Sequence, residues 1–297
     1  MVHNFSVSFW NGDIRLAGRV FRNTDRLDER QPAIIVTGSW LTVKEQMPAV
    51  YAPLLAERGY TVLTFDFGGF GQSAGEPRQA EIPHRKIGDL CAAADFVRTL
   101  SGIDQQHVVH LAICASAQYG LAALARGSRI DRFISVAGWY HDAASVAPFY
   151  GGAEGVAQRL AIASAATDRY NTSGTVEMVP AYKPGDPAAG MSFELDYYAS
   201  ASRGAIPAWK NSMATMSWWY WLTFDGLSAA SQVETPSLFV HSDGCVLPDN
   251  LRRVYSDVAG PKRLEWSEGG QTDFYDQPAQ VARVVELTAA FLENRTV

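Results

Sequence analysis

The sequence has 297 residues and a formal net charge of −6, from 25 Lys and Arg against 31 Asp and Glu. With 47% hydrophobic and 19% charged residues it is typical of a soluble globular protein, which excludes fibrous and disordered classes. The basic residues are scattered, with no run of five or more, so we expect neither nucleic acid nor an anionic membrane as a partner.

The first twenty residues predict a β-hairpin, because stretches of alternating polarity flank a turn at Asn11-Gly12. From residue 33 onward, short apolar runs alternate with longer helical stretches, which indicates a parallel sheet covered on both faces. In the first half, strands are predicted at 33–37, 61–67, 108–113 and 132–137, with helices at 43–58, 86–101 and from 115. The alternation resumes with a strand at 237–242, a helix after Pro248, a strand at 263–268 and a helix at 278–293.

Residues 143–232 separate these two halves and are rich in Gly, Ala, Ser and aromatic residues, with four of the eight Trp between 209 and 221. Open parallel sheets bind ligands at the carboxyl ends of their strands. We therefore expect 143–232 to form an inserted helical lid on a core of 1–142 and 233–297. Aromatic clusters are also common core filler, and both roles can hold at once. The lid hypothesis predicts four aromatic residues of a substrate pocket: Trp139, Tyr140, Trp218 and Trp219.

The stretch 108–120 carries the strongest chemical signal. A buried strand there runs into a helix through a turn so tight that the residues two positions before and after its apex must be small. Cys114 fits the apex, with Ala112 and Ser116 as its neighbours. Ser116 fits less well, because Gln118 stands at its second flank. A free Cys is usually a small buried hydrophobe, so the context of the turn makes Cys114 a candidate nucleophile.

With these residues the sequence resembles the α/β-hydrolase superfamily, and more closely the dienelactone-hydrolase-like branch, which has Cys in this nucleophile elbow. The resemblance covers most of the chain. It implies an α/β-hydrolase fold, a mostly parallel doubly wound sheet with an amino-terminal antiparallel hairpin. The segments that carry it are Thr37–Trp40, Asp66–Ser73 (like the D-x-x-G-x-G-x-S loop), Ala112–Ser116, Val240–Ser242 and Asp273–Asp276.

The resemblance implies that Cys114 is the nucleophile and that backbone N–H groups of Ala115 and of Ser39 or Trp40 form an oxyanion hole. A Cys has an unperturbed pKa near 8.5, and a helix amino end lowers it further. We therefore expect Cys114 to attack without the usual base, whereas product release by water still needs a proton transfer.

The triad implied by the resemblance is incomplete. Asp243 is the nearest carboxylate to the acid position, and Gln271 stands where relatives have the catalytic His. No His follows position 241, and five of the six have surface, core or backbone-shaping interpretations: His3, His84, His107, His110 and His241. His141 follows the strand at 132–137, so His141 with Asp142 is the candidate base. An anchoring role for the lid is the alternative.

We expect a cytoplasmic protein without cofactor. No apolar stretch reaches the roughly 18 residues of a membrane helix, and the amino-terminal residues lack the pattern of a cleaved signal. The three Cys, at 91, 114 and 245, fit neither a disulfide framework nor a zinc site. Gly68–Gly71 lacks the spacing of a dinucleotide-binding loop.

Three functions remain open, all with a small-molecule substrate or ligand. The first is a Cys-dependent hydrolase of an ester, lactone or thioester in a small-to-medium apolar substrate. The second is a cyclase, lyase or C–C bond-cleaving enzyme with a substituted triad, and the third is a binding protein that has lost catalysis. Substrate identity and oligomeric state, including a homodimer, are not determined by the sequence.

Overall fold

A mostly parallel sheet forms the centre of the protein in the computed structural model, which describes residues 1–26 and 29–293. The strands of the structure, in chain order, are β1 (Val2–Asn11), β2 (Ile14–Asn23), β3 (Gln31–Thr37), β4 (Thr61–Phe65), β5 (Ile103–Ile113), β6 (Arg132–Val136), β7 (Met178–Val179), β8 (Met213–Ala214), β9 (Ser237–His241) and β10 (Lys262–Trp266).

Eight of these strands make one sheet in the order β1-β2-β4-β3-β5-β6-β9-β10. The pairs β1-β2 and β2-β4 are antiparallel, and the remaining neighbours are parallel. Strand β4 is buried along its whole length, as expected where helices cover both faces of a parallel sheet. The predicted architecture is therefore confirmed, including the antiparallel hairpin at the amino end.

The hairpin turn lies one residue later than the sequence suggested. Asn11 still pairs with Ile14, so the two-residue turn consists of Gly12 and Asp13. Gly12 has φ +59°, the left-handed conformation that such turns require and that glycine adopts without steric cost. Asn11 instead directs its amide to the buried carboxylate of Asp89, at 2.8 Å.

Helices follow most strands and pack on the sheet, with α1 against β3 and β4, and α2 and α3 against β5. Their bounds are α1 (Met47–Glu57), α2 (Pro83–Thr99), α3 (Ser116–Ala125), α4 (Ala143–Val146), α5 (Gly152–Ser173), α6 (Asp196–Ala199), α7 (Ser217–Thr223), α8 (Pro248–Asp257), α9 (Asp273–Asp276) and α10 (Pro278–Glu293). None of the helices in the described ranges is long and apolar enough to cross a membrane.

Residues 143–232, here called the inserted segment, connect β6 to β9 and contain α4 to α7 and the small antiparallel pair β7-β8. Several of its aromatic side chains belong to the same hydrophobic core as the central sheet, among them Tyr150, Tyr197 and Trp221. The segment is thus packed onto the carboxyl-end side of the fold through apolar contacts.

Candidate active site

Cys114 lies at the sharp turn between β5 and α3, with φ +58°. A left-handed backbone is strained for a residue with a Cβ, so the surrounding structure must hold it. The N–H of Cys114 donates to the Val136 carbonyl at 3.0 Å, and its carbonyl accepts from Trp139 N–H at 3.0 Å. The Ser116 hydroxyl lies 3.1 Å from the carbonyl oxygens of Thr37 and Ile113, so it is engaged by the backbone.

Two opposing effects set the protonation of the Cys114 thiol. Burial, the larger effect, raises its pKa, whereas four donors lower it by stabilising the thiolate: the Ser39 and Tyr275 hydroxyls and the backbone N–H groups of Ala115 and Trp40. Because the net pKa is raised, Cys114 is a neutral thiol at pH 7. The sequence predicted that the amino end of α3 would lower the pKa of Cys114. Burial outweighs that effect, because the site is shielded from water.

The backbone N–H groups at the Cys114 sulfur come from the two segments that the sequence predicted, the one with Ala115 and the one with Ser39 and Trp40. Trp40, rather than Ser39, brings its backbone N–H to the sulfur. The Ser39 N–H faces the Met47 sulfur at 3.5 Å, and Ser39 contributes its hydroxyl instead. Trp40 and Ala115 thus place two backbone N–H donors at the Cys114 sulfur.

The Cys114 sulfur faces a small apolar cavity of about 40 Å³. This volume holds about three water-sized molecules. The β3–α1 loop (38–46), the turn at Cys114 and the last loops of the sheet form one side, and the inserted segment forms the other. The lining residues are Ser39, Trp40, Cys114, Trp139, Tyr150, Met191, Phe193, Leu195, Tyr198, Trp221, Val246, Gln271, Thr272 and Tyr275.

Asp66 holds the β3–α1 loop on the central sheet. Its carboxylate, which is buried, accepts from the backbone N–H of Lys44 at 2.9 Å and from the Lys44 ammonium at 2.7 Å. Gly71 has φ +46°, and a Cβ there would lie 2.3 Å from an Asp66 oxygen. The motif 66–73 therefore has a structural function, since it positions the loop that carries Trp40.

Gln271 occupies the cavity wall but has no capacity to take a proton. Its Oε1 accepts from the Val246 N–H at 3.0 Å, and its Nε2 donates to the Ala137 carbonyl at 2.8 Å and the Tyr275 hydroxyl at 3.1 Å. The Tyr275 hydroxyl also lies 3.4 Å from the Ser39 hydroxyl and forms a hydrogen bond with Cys114.

His141 does not reach the thiol, contrary to its predicted role as base. Its Nδ1 accepts from the Trp139 indole at 2.6 Å, and its Nε2 donates to the Trp221 carbonyl at 2.8 Å. The ring is fully buried and absent from the cavity wall. Burial lowers the pKa of His141 to about 4, so it is neutral at pH 7. With both nitrogens engaged, His141 anchors α7 of the inserted segment.

The two candidate acids also lie outside the cavity. Asp142 caps α4 by accepting from the Ser145 N–H at 2.8 Å. Asp243 is an exposed residue that pairs with Arg252 at 2.8 Å and accepts from the Trp266 indole at 3.1 Å. The hydrogen bond from Arg252 lowers the pKa of Asp243. Neither carboxylate orients a base for Cys114.

Of the four predicted pocket aromatics, Trp139 lines the cavity. Tyr140 is buried in the core, where its hydroxyl donates to Ser135 at 2.8 Å. In α7 the helical period turns Trp218 and Trp221 towards the interior and leaves Trp219 48% exposed. Trp221 reaches the cavity, while Trp218 packs behind it against Tyr150.

Sequence reasoning missed several lining residues. Tyr275 stood within the recognised 273–276 motif, and its position after the last loop is the signal that could have identified it. The residues of the inserted segment carry no motif, and they reach the cavity through irregular loops and single helical turns: Tyr150, Met191, Phe193, Leu195, Tyr198 and Trp221.

No protein-family model matches the sequence. An uncharacterized protein of Pseudomonas aeruginosa, PA2218, is 28% identical over 291 residues, which cover 93% of this chain and 77% of that protein. The polyketide transferase claH of Penicillium crustosum is 26% identical over 268 residues, which cover 86% of this chain and 85% of that protein.

Solved structures give the decisive comparison for the fold. The α/β hydrolase GrgF from Penicillium sp. sh18 superimposes with a TM-score of 0.82 and 20% sequence identity, covering 99% of this chain and 98% of that one. The chain has the α/β-hydrolase fold. The crystal structure of PA2218 is similar as well, with a TM-score of 0.83, 24% identity and coverage of 98% and 94%.

Within the α/β-hydrolase fold, this chain combines a turn with Cys at its apex, two backbone N–H donors and a small apolar cavity. Among the residues that line the cavity, the titratable side chains are one Cys and three Tyr. Named relatives include a thiohydrolase of Aspergillus aculeatus, and structural neighbours include GrgF and an enol-lactonase from Burkholderia xenovorans. The cavity wall therefore has a Cys beside two backbone N–H donors, and no imidazole or carboxylate is among its lining residues.

Proposed function

We propose that this protein is a Cys-dependent acyl-transfer enzyme that takes the acyl group of a small-to-medium apolar thioester onto Cys114. The observation that carries the proposal is the Cys114 sulfur beside the N–H groups of Trp40 and Ala115, at the wall of an apolar cavity. The Cys at this turn also supports a relation to the dienelactone-hydrolase-like branch, which has Cys there. The acid and base of that branch have no counterpart among the cavity-lining residues.

In the proposed reaction, the sulfur attacks the thioester carbonyl and a carbon–sulfur bond forms. Negative charge develops on the carbonyl oxygen, where the Trp40 and Ala115 N–H groups stabilise it. The tetrahedral intermediate collapses as its bond to the leaving sulfur breaks, and the leaving sulfur takes up the proton that Cys114 loses on attack, so a free thiol is released. The Tyr275 hydroxyl, held by Gln271, donates to the sulfur while it carries charge.

A thioester suits this site better than an oxygen ester. A thiol has an ordinary pKa near 8.5, so its thiolate leaves without a separate general acid. An alkoxide leaving group is far more basic and depends on the acid–base pair that the cavity wall lacks. The near-absence of polar surface in the cavity favours an apolar acyl chain.

The inserted segment is proposed to act as a lid. It contributes six side chains to the cavity wall, and a cavity of about 40 Å³ is too small for most acyl groups. Binding therefore requires this wall to move outward. The Arg203 guanidinium, which pairs with Asp276 through two carboxylate oxygens, is the main polar connection between the segment and the last loop.

Transfer of the acyl group to a nucleophile other than water is the second candidate outcome. Hydrolysis of the acyl-enzyme requires a base to activate water, and none of the cavity-lining residues supplies one at pH 7. A nucleophile within the acyl chain or on a second substrate would instead yield cyclisation or transfer. The relative named polyketide transferase supports this alternative.

The test compares a matched apolar thioester and oxygen ester with the same acyl group. We expect thiol release from the thioester by the wild type, slow or no cleavage of the ester, and loss of thiol release in Cys114→Ala. Product analysis with and without an added amine or alcohol separates hydrolysis from transfer. Equal rates on both substrates, or full thioester cleavage by Cys114→Ala, would contradict the proposal.

A further inference from the structure

A fully buried ion pair, Glu81–Lys86, lies next to the β3–α1 loop. The Lys86 ammonium is 2.7 Å from Oε1 and 2.8 Å from Oε2 of Glu81, and both side chains are at most 1% exposed. Removing two charges from water costs free energy that their attraction repays only with good geometry and further hydrogen bonds. The other hydrogen bonds of the Glu81 carboxylate therefore indicate which parts of the structure the ion pair holds in place.

Those contacts lead to both halves of the candidate oxyanion hole. Glu81 Oε2 accepts from the Leu41 backbone N–H at 3.3 Å, and Leu41 directly follows Trp40. Glu81 Oε1 accepts from the Tyr119 hydroxyl at 2.7 Å, and Tyr119 lies in α3, the helix that begins directly after Ala115. One carboxylate thus joins the two segments whose N–H groups meet at Cys114.

Leu41 needs such a restraint. Its φ is +59°, a left-handed conformation that is strained for a branched side chain and persists only when neighbouring contacts impose it. Its N–H is held by Glu81, and its carbonyl accepts from the Trp209 indole at 2.9 Å. A return of Leu41 to ordinary backbone would rotate the Trp40–Leu41 peptide and displace the chain that carries the Trp40 N–H.

The positive charge of Lys86 stabilises the buried Glu81 carboxylate. Its ammonium lies 4.7 Å and 4.6 Å from the ring centres of Phe67 and Phe70. Such cation–π contacts favour the charged form at a desolvated site. Tyr119 provides a third ring at 5.5 Å. The pair is thereby neutral as a unit and fixed from several sides.

We infer that Glu81 is a positioning residue for catalysis, which sets the spacing of the Trp40 and Ala115 N–H donors by binding Leu41 and Tyr119 at once. The inference rests on the proposed function, because it concerns the oxyanion hole of that reaction. Glu81 does not line the cavity and touches neither Cys114 nor the acyl group in this role.

The test separates a reaction that needs the oxyanion hole from one that does not. Acylation of Cys114 by an apolar thioester forms an oxyanion, whereas its alkylation by iodoacetamide uses the same thiol and forms none. The variants are Tyr119→Phe and the charge-balanced double substitution Glu81→Gln/Lys86→Met. Tyr140→Phe is the matched control, since it also removes a buried tyrosine hydrogen bond, the one to Ser135.

We expect the double variant to lose about 10²-fold in acylation rate, comparable to the removal of one oxyanion donor, with alkylation changed less than about threefold. Tyr119→Phe should lose roughly tenfold in acylation alone, as expected for one buried hydrogen bond. Tyr140→Phe should change neither rate. Tyr119→Phe keeps the charge pair, so it decides the question if the double variant does not fold.

Two results would overturn the inference while the proposed function stands: acylation at the wild-type rate in both variants, or acylation and alkylation lowered by the same factor. The second result would mean that Glu81 only maintains the general packing around the thiol. A wild-type protein that is alkylated but never acylated would overturn the proposed function, and this inference with it.

Discussion

Two properties of Cys114 have different origins: the local sequence determines its sharp turn, and the tertiary structure determines the pKa of its thiol. The small residues at 112 and 116 allow the sharp turn, which is a local property and therefore readable from the sequence. The pKa of the thiol depends on burial under the inserted segment, which raises it. The residues of that segment that line the cavity run from Tyr150 to Trp221, far from Cys114 in sequence, so no local pattern predicts the burial.

The same contrast explains why His141 was a wrong candidate. Its position after β6, near the carboxyl end of the sheet, was predictable from strand order. The direction of its ring is decided by hydrogen bonds to Trp139 and Trp221. Side-chain direction after a strand depends on such partners, and the sequence alone does not specify them.

A Gln271→His substitution tests whether the missing base limits turnover. Gln271 lines the cavity beside Tyr275, so an imidazole there would be placed to activate water for deacylation. We expect thioester hydrolysis to rise, by up to about 10²-fold. Gln271→Leu is the control, because it loses the same hydrogen bonds without gaining a base. Equal hydrolysis rates in the two variants would show that another step is limiting.

At the scale of elements, the central strands and their helices were predictable because their polarity repeats every 2 or 3.6 residues. The inserted segment was not resolved into elements from the sequence. Its longest helix, α5, has few buried residues and thus a weak apolar stripe. This helix ends before Gly174, which has φ +71° at the helix end. The short helix α4 begins with a local capping box formed by Asp142 and Ser145, whereas α6 and α7 have no side-chain cap.

Arg203 is the connection whose removal should loosen the inserted segment. Its guanidinium donates to both oxygens of Asp276 and to the Thr272 carbonyl, next to the cavity-lining residues Gln271 and Tyr275. In Arg203→Gln we expect amides of residues 196–204 to exchange hydrogen roughly fivefold faster, as for the loss of about 1 kcal/mol.

The matched control is Arg252→Gln, which breaks the exposed pair with Asp243 on another part of the surface. Exposed pairs contribute little, so exchange at 196–204 should stay at the wild-type rate. Unchanged exchange in Arg203→Gln, or an equal increase in the control, would contradict a specific role of Arg203 in holding the segment closed.

For the whole molecule, the α/β-hydrolase fold followed from the alternation of strands and helices together with ordered motifs. The chemistry did not follow to the same extent, because it depends on which loops meet above the sheet. Asp243 illustrates this: its position in sequence suits a catalytic acid, yet the loop places it on the surface with Arg252. Many residues along the chain specify the fold, so it can be predicted from their pattern. The site depends on the directions of a few side chains, which the pattern does not specify.

The molecule should lose stability in mild acid because it buries neutral histidines. Burial lowers the pKa of His110 to about 3 and those of His141 and His241 to about 4, from an ordinary value of 6.5. Unfolding lets each ring bind a proton. Below pH 6.5 this binding stabilises the unfolded state increasingly, until the pH reaches the pKa of the ring in the folded protein. Between pH 7 and 5 we expect a loss on the order of 2 kcal/mol per buried histidine in the free energy of unfolding.

Urea unfolding at pH 7, 6 and 5 measures this dependence. His3→Asn, at an exposed position, should leave the change in the free energy of unfolding with pH as it is in the wild type. His241→Asn, at a buried position, should make that change smaller. A free energy of unfolding that stays constant from pH 7 to 5 would show that these rings are accessible to protons in the native state.

The central claim, that Cys114 accepts the acyl group, is tested most directly by intact-protein mass spectrometry after mixing with an apolar acyl thioester. We predict a mass gain equal to one acyl group in the wild type and in Cys245→Ala, which removes the other Cys buried near the site. Cys114→Ala should show no gain. An adduct that persists in Cys114→Ala, or a wild-type protein that never acquires one, would contradict the account.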